Sequence, residues 1–558
     1  MKRKWWHDAV VYQIYCKSFC DSNGDGIGDL PGVISKLPML KELGINCIWF
    51  TPIFPSPQVD NGYDVADYRD IDPAYGTLAD FKNLLETAHS MDIRIILDMV
   101  FNHSSDQCKW FQEAKKSRDN PYRDYYIWHD GKPDGSEPNN WGNYFFEGKG
   151  SAWEWDENTK QYYLHYYSKH MPDLNWEHEP LRREIYDMMR WWLDMGVDGF
   201  RLDVITSLKK PAGFPDYPGE LAVNGYAQGR EQRCNVPGIH EILQEMNREV
   251  FSKYDIMTVG EGARVTVEMV SDYICAGRQE LDSMYHFDIC NRDPAPPSVL
   301  RYKQAQMAWA KVVEGNAWIA QHLSNHDFPR QVSRFGNDKE YRVPSAKLLA
   351  TLTHTMPGTP YVYQGEEIGM TNVEFATIEE YNDPYTVGQY HAMIKAGIPE
   401  DAVWAKLRPI SRDNPRTPYQ WNSGENGGFT TGKPWIKVNP RYGQINYAAD
   451  RAAQDSIFAY YQKLIALRKT CPAIVDGLFE MLLPDHERVV MYLRRTARQT
   501  LLVVANFTDS ETPVVLPETI AGHRWHRLLT NYETNTPSLE RAAWQPWEAE
   551  IYELEESR

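Results

Sequence analysis

No two cysteines in this chain form a CxxC pair or stand at a metal-ligand spacing; the eight are scattered at positions 16, 20, 47, 108, 234, 275, 290 and 471. That pattern excludes a thiolate zinc or redox motif and points to reduced thiols in the cytoplasm, although Cys16 and Cys20 stand near enough to pair. Long apolar runs are missing as well, so nothing reads as a membrane span. The basic residues of Met1-Lys2-Arg3-Lys4-Trp5-Trp6 are not followed by the apolar stretch of a secretory leader. A surplus of positive charge is absent: 59 Lys and Arg face 77 Asp and Glu, for a net charge of -18. A phosphate backbone calls for clustered cations, so nucleic acid is excluded as a partner and an anionic membrane surface is disfavoured. A small, neutral substrate fits this balance better. Internal repeats and low-complexity tracts are also lacking.

What is present is length and apolar content. At 558 residues with 42% hydrophobic residues, the chain can bury a large core and carry smaller satellites around it. Aromatics make up 13%, with 19 Trp and 34 Tyr. Sugar rings stack their C–H faces on such side chains, but a large core buries aromatics too.

The first hundred residues alternate short apolar strands with amphipathic helices. Strands are expected at Val10–Tyr15, Cys47–Phe54 and Ile93–Val100. Between them, Val33, Leu37, Leu40 and Leu43 fall at helical spacing before Gly44, and Thr77 with Asp80 suits the start of a helix carrying Phe81, Leu84, Leu85 and Ala88. From His103 to about Pro172 this rhythm stops in text rich in Trp, Tyr, Gly, Asn and Asp, too long for a plain loop. The rhythm resumes with a helix bearing Leu181, Ile185, Met188, Met189 and Trp192, and with strands at Val197–Val204, Ile256–Glu261, Ser283–Asp288, Trp318–Asn325 and Thr359–Glu366. Eight buried strands alternating with helices predict a (β/α)8 TIM barrel with an inserted subdomain after strand three. VVMYLRR (489–495) and TLLVVANFT (500–508) then predict a C-terminal antiparallel β-sandwich domain. The expected segments are 1–103 and 173–478 for the barrel, 104–172 for the insertion and 479–558 for the sandwich.

Polar residues close the predicted strands. Strand three ends in Asp98 through Asn102-His103, strand four in Arg201 and Asp203, strand five in Glu261, and strand seven in Asn325-His326-Asp327. In such a barrel these ends converge on one pocket. A lone Asp at a strand end is commonly a helix cap or a surface ion pair, but the set brings carboxylates, histidines and an arginine together. Glycoside hydrolysis needs that kit: one carboxylate nucleophile, one protonated carboxyl and groups that tune them.

DMVFNH (98–103), GFRLD (199–203), the Glu closing strand five and SNHD (324–327) stand in order and resemble the four motifs of the α-amylase superfamily of glycosidases. NGYDVADYRDIDPAYGT, YQGEEIGM and SRDNPRTPYQW are similar to its oligo-1,6-glucosidase and α-glucosidase branch, and the likeness runs over nearly the whole chain. The resemblance implies a retaining, exo-acting α-glucosidase acting on short α-glucosides. Asp203 would be the nucleophile, Glu261 the acid/base and Asp327 the group that grips substrate hydroxyls. Arg201 would steady the ionised Asp203. His103 and His326 would bond the non-reducing glucose, and Asp60, Tyr63 and Arg416 would complete its subsite. A Val at position 204 accompanies α-1,6 over α-1,4 preference in the resembling enzymes. Asp21, Asn23, Asp25, Ile27 and Asp29 place oxygens at alternate positions, as the first part of an EF-hand loop does, without its closing Glu. The resembling enzymes hold a structural calcium ion there; an Asp/Gly-rich turn without metal is the alternative. No cofactor is expected for catalysis.

Three places depart from the branch: Met171 stands where Gln is usual, Gly262-Ala263-Arg264 follows Glu261, and Tyr285–Asp293 differs around strand six. A sucrose isomerase would carry an Arg-rich patch after strand six, of which only Arg292-Asp293 is kept. A trehalose-6-phosphate hydrolase would need basic groups for the phosphate, and none is evident. Transglucosylation and a broad α-1,4-glucosidase stay open. A non-catalytic barrel partner would have lost the carboxylates that this chain retains.

Overall fold

The computed structural model describes residues 3–229, 231–532 and 539–555. The outermost residues of the first and last expected segments, 1–2 and 556–558, lie outside the described residues. Strands β1 (Val11–Ile14), β2 (Cys47–Phe50) and β3 (Arg94–Val100) open the chain. Three short strands follow, β4 (Trp128–His129), β5 (Trp153–Asp156) and β6 (Gln161–Leu164). Then come β7 (Gly199–Asp203), β8 (Met257–Glu261), β9 (Ser283–Tyr285), β10 (Ile319–Gln321) and β11 (Thr359–Tyr363). β1, β2, β3, β7, β8, β9, β10 and β11 close a parallel barrel.

All eight expected barrel strands are present, and most are shorter than their apolar runs. β9 ends at Tyr285 rather than Asp288, and β10 at Gln321 rather than Asn325. The chain leaves the ladder early there because the following residues, His286–Asp288 and His322–Asp327, turn into the mouth of the barrel instead of pairing with a neighbour.

Local chemistry sets the helix ends. The helix Leu30–Leu43 starts on Asp29, whose carboxylate accepts from the Gly32 N–H, and stops at Gly44 with φ 102°. Thr77 and Asp80 form a reciprocal capping box at the head of Leu78–Ser90.

The inserted stretch forms a three-stranded sheet, β4-β6-β5. Trp141 and Trp153 are buried there with Ile127, Leu164, Tyr217 and Ala227, so these rings are core rather than substrate wall. Tyr217 and Ala227 come from the loop after β7: Trp141 stacks on Tyr217 at 4.5 Å and bridges to Ala227. The insertion is thus completed by chain from beyond its own segment.

Downstream, β12 (Leu478–Met481), β13 (Val489–Arg495), β14 (Thr500–Asn506), β15 (Trp525–Thr530) and β16 (Ala549–Leu554) form an antiparallel sheet in the order β12-β13-β14-β16-β15. Alternation splits its faces. Val490, Tyr492, Val503, Ala505 and Ile551 join the barrel core, while Val489, Met491, Leu493, Leu502 and Val504 pack beneath Ile520, Leu539 and Trp544. The second layer of this domain is irregular chain, tied by the Thr512–Trp544 bridge.

Candidate active site

β3, β7 and β8 lie side by side in register, with Asp98 opposite Arg201 and Leu202 opposite Gly260. Arg201 and Asp203 are two apart on β7 and so face the same side, into the barrel. Their neighbours on β3 and β8, Asp98 and Glu261, face the same space. Arg201 is the hub: its Nη1 donates to Asp98 Oδ1 at 2.9 Å and to Asp203 Oδ1 at 2.6 Å, and its Nη2 donates to Glu261 Oε2 at 2.7 Å. The chain then turns sharply. Val204 adopts φ 36°, ψ 38°, a left-handed conformation that is unusual for a β-branched residue and marks local strain. Its N–H donates to Glu261 Oε2 at 3.1 Å, so the turn aims a backbone donor at that carboxylate.

Asp98 and Asp203 share one guanidinium, and these two buried carboxyls titrate together. Burial pushes the Asp203 carboxyl well above the usual range, Arg201 opposes, and the charges of Glu261 and Asp98 push it further up. Asp98 is pushed up to about 6 by burial against the pull of Arg201 and the Tyr63 hydroxyl.

A second hub surrounds Asp327. Arg416 Nη2 donates to its Oδ1 at 2.8 Å, Arg412 Nη1 stands 3.6 Å away, and Arg292 Nη2 lies 4.0 Å from Oδ2. Burial alone would raise the Asp327 carboxyl, but the guanidiniums of Arg412, Arg416 and Arg292 hold it well below the usual carboxylate range. Burial drives His326 well below the ordinary histidine value against the pull of Asp327, and Arg201, Arg416 and Arg412 push the same way as burial. The imidazole is therefore neutral, with burial the main cause. Arg412 also donates from Nη2 to Asp60 Oδ1 at 2.7 Å and from Nε to Asp383 Oδ1 at 2.7 Å. His103, pushed down to about 3 by burial, is held by the Tyr63 carbonyl at 3.1 Å.

These groups enclose a cavity of about 320 Å³, within the range of small-ligand sites. Asp60, Tyr63, His103, Arg201, Asp203, Val204, Glu261 and Asp327 all line it. His326 and Arg416 do not. His326 stacks behind Tyr63 at 5.2 Å, and Arg416 is fully buried, bonded to Asp327 and to the His326 carbonyl. Of the two arginines in the SRDNPR string, Arg412, one helical turn earlier, is the one on the cavity wall. Nothing in the sequence says which of two arginines four apart faces the ligand; the turn at Asp413–Arg416 decides it. Tyr144, Tyr166 and Tyr167 add an aromatic wall from the inserted stretch, and Met171 sits beside them.

The loop at 21–29 lies apart from the cavity. Asp21 accepts from the N–H groups of Asn23, Gly24 and Gly26, Asn23 from Asp25, and Asp25 from Ile27. Each turn directs a side-chain oxygen back over the loop. Among the described residues no three His, Cys, Asp or Glu side chains form a metal-holding group. A cation here would therefore also draw on the Asn23 amide and the Ile27 carbonyl, a mixed oxygen set that suits a hard ion.

Residues 13–477 match the family model for the α-amylase catalytic domain, and 479–547 match that of the maltogenic amylase C-terminal domain. The chain belongs to the α-amylase family of glycoside hydrolases. It is 48% identical to an oligo-1,6-glucosidase of Parageobacillus thermoglucosidasius over 99% of this chain and 100% of that protein. It is 45% identical to a trehalose-6-phosphate hydrolase of Bacillus subtilis, covering 99% and 98%. Among solved structures, an isomaltulose synthase from Protaminobacter rubrum superposes with a TM-score of 0.93 at 40% identity, with full coverage of both chains. This family member thus has relatives named as glucosidase, hydrolase and synthase on one fold.

Proposed function

We propose that this glycoside hydrolase releases glucose from the non-reducing end of short α-glucosides with retention of configuration, preferring α-1,6 bonds. The observation that carries the reading is the single Arg201 guanidinium bonded to both Asp203 and Glu261. Two carboxylates held that close suit a nucleophile and an acid rather than a pair separated by an attacking water. Asp203 attacks the anomeric carbon as Glu261 protonates the departing oxygen, and the glycosidic C–O bond breaks to leave a glucosyl ester. Glu261, now a carboxylate, takes a proton from water as that water attacks the same carbon and frees Asp203. Two inversions return the α configuration. Asp327, held ionised by its arginines, accepts from ring hydroxyls and strengthens that grip as charge develops at the anomeric carbon.

Exo action is supported by the buried Asp60–Arg412 ion pair, 2.7 Å long, on the cavity wall, where it can hold the hydroxyls of a terminal sugar. The α-1,6 preference is supported by the named activity of the relatives at 46–48% identity and by Val204 on the cavity wall.

Calcium at Asp21, Asn23, Asp25, Ile27 and Asp29 belongs to this reading as a structural ion with no catalytic part. Its support is the run of oxygen-bearing side chains at alternate positions in that loop. A reducing cytoplasm is supported by the free state of all eight cysteines, Cys16 and Cys20 included. No helix among the described residues is long and apolar enough to cross a membrane.

The test is a kcat/KM panel on isomaltose, maltose, sucrose and trehalose 6-phosphate, with the anomer of the first product followed by proton NMR. Isomaltose leading and α-glucose appearing first is the expected result. β-Glucose first overturns the mechanism, while trehalose 6-phosphate leading reassigns the substrate and leaves the mechanism standing.

A further inference from the structure

Gln13 on β1 is 1% exposed, does not line the cavity, and has no place in the chemistry above. Its side-chain nitrogen nevertheless lies 2.7 Å from His326 Nδ1. On the other side of that ring, Nε2 is 2.7 Å from the Tyr63 hydroxyl, and the hydroxyl is 2.8 Å from Asp98 Oδ2.

The direction of every proton in this row is forced from one end. Asp98 is ion-paired to Arg201 at neutral pH, so it accepts, and the Tyr63 O–H donates to it. The phenol oxygen then has only lone pairs to offer the imidazole, so His326 must donate from Nε2–H. The ring is neutral, pressed so by its burial and by Arg201, Arg412 and Arg416. Its Nδ1 therefore carries a lone pair and needs a donor. The only such group in the row is the Gln13 amide N–H.

We propose that Gln13 is a positioning residue that locks His326 in the Nε2–H tautomer and thereby keeps the Tyr63 hydroxyl on Asp98, beneath the reacting sugar. Without it, the ring gains nothing from keeping Nδ1 bare. In the other tautomer, Nε2 competes for the Tyr63 proton and Asp98 loses its donor. Asp98 then draws harder on Arg201, the group shared with Asp203 and Glu261. Aromatic neighbours prevent the ring from escaping by rotation: Tyr63 stacks on it at 5.2 Å, Tyr15 at 6.4 Å, and Trp49 meets it edge-on at 5.8 Å. The inference rests on the glycosidase reading of Asp203 and Glu261, yet its first test reads a tautomer and can fail while hydrolysis persists.

The unmutated enzyme, labelled with ¹⁵N-histidine and compared with His326→Asn to assign the ring, should show His326 at pH 7 as a neutral Nε2–H imidazole. An Nδ1–H tautomer or an imidazolium overturns the proposal. The second test is a double-mutant cycle of Gln13→Met, near in size but without a donor, with Tyr63→Phe. Gln13→Met should cut kcat by roughly tenfold and leave KM within about twofold; in the Tyr63→Phe background it should change kcat by less than about twofold, since the row is already broken. Equal losses in both backgrounds would assign Gln13 a packing role only, and no loss in either would remove it from the site; both outcomes sink the inference.

Discussion

Val204 bears on linkage through both its backbone and its side chain. The left-handed turn aims its N–H at Glu261, and the β-branched side chain occupies the cavity wall next to the bond to be cut. A stiff side chain there crowds the directly attached second ring of maltose, whereas an α-1,6 bond interposes a CH₂ that swings the ring clear. Such clashes are worth ~1–3 kcal/mol, so Val204→Ala should lower the isomaltose-to-maltose ratio of kcat/KM by about tenfold. An unchanged ratio would remove Val204 from specificity. Asp98 bears on pH. The raised pKa of Asp203 means that activity is lost as pH falls through that raised value, so the acid limb lies above the ordinary aspartate range near 3.9. Asp98 contributes to the rise, so Asp98→Asn should move the acid limb to lower pH while lowering kcat. A limb that moves up, or stays, contradicts the charge coupling drawn here.

At the scale of elements, much was legible beforehand. The Thr77–Asp80 box, the stop at Gly44 and the strand cores are local: each depends on residues within four or five positions of one another. The loop at 21–29 is local too, and its alternating oxygens are visible in the string DSNGDGIGD. Whether it holds calcium is a question of free energy. An ion that binds only the folded chain stabilises it by mass action, at about 2.7 kcal/mol for a hundredfold excess over Kd. Stripping with a chelator should therefore lower Tm, and added calcium should restore it; magnesium, which demands a tighter octahedron, should restore less. Identical melting with and without chelator would show the loop to be a turn that needs no ion.

The whole molecule is held together by contacts that no local pattern announces. Lys303, on the helix Val299–Glu314, is fully buried, and its ammonium donates to the carbonyls of Leu483 at 2.6 Å, His486 and Val489. Arg494 on β13 reaches back to the Thr355 carbonyl at 2.6 Å. These pins join the C-terminal sheet to the barrel, and one face of that sheet is barrel core. Lys303→Ala would take this donor from the buried Val489 carbonyl, at about 1–3 kcal/mol for an acceptor left unsatisfied, before any relaxation. The variant should melt several degrees lower with kcat/KM at 25 °C within about twofold of the parent, because the pin is remote from the cavity. Loss of activity without loss of Tm would mean that the sheet has a part in catalysis.

Strand and helix identity, the barrel class and the carboxylates at its mouth could be read directly, since a period of two or 3.6 and a polar residue closing an apolar run are properties of short stretches. The long ordered motifs carried the family. What the sequence could not decide is which side chains share a partner. Of Arg412 and Arg416, one helical turn apart, only Arg412 reaches the cavity wall. Arg201 serves three carboxylates because three strands lie in register. Gln13 meets His326 across 313 residues of chain. Only closure of the barrel brings such groups within hydrogen-bond reach, and only there do burial and neighbouring charge set which of them are ionised.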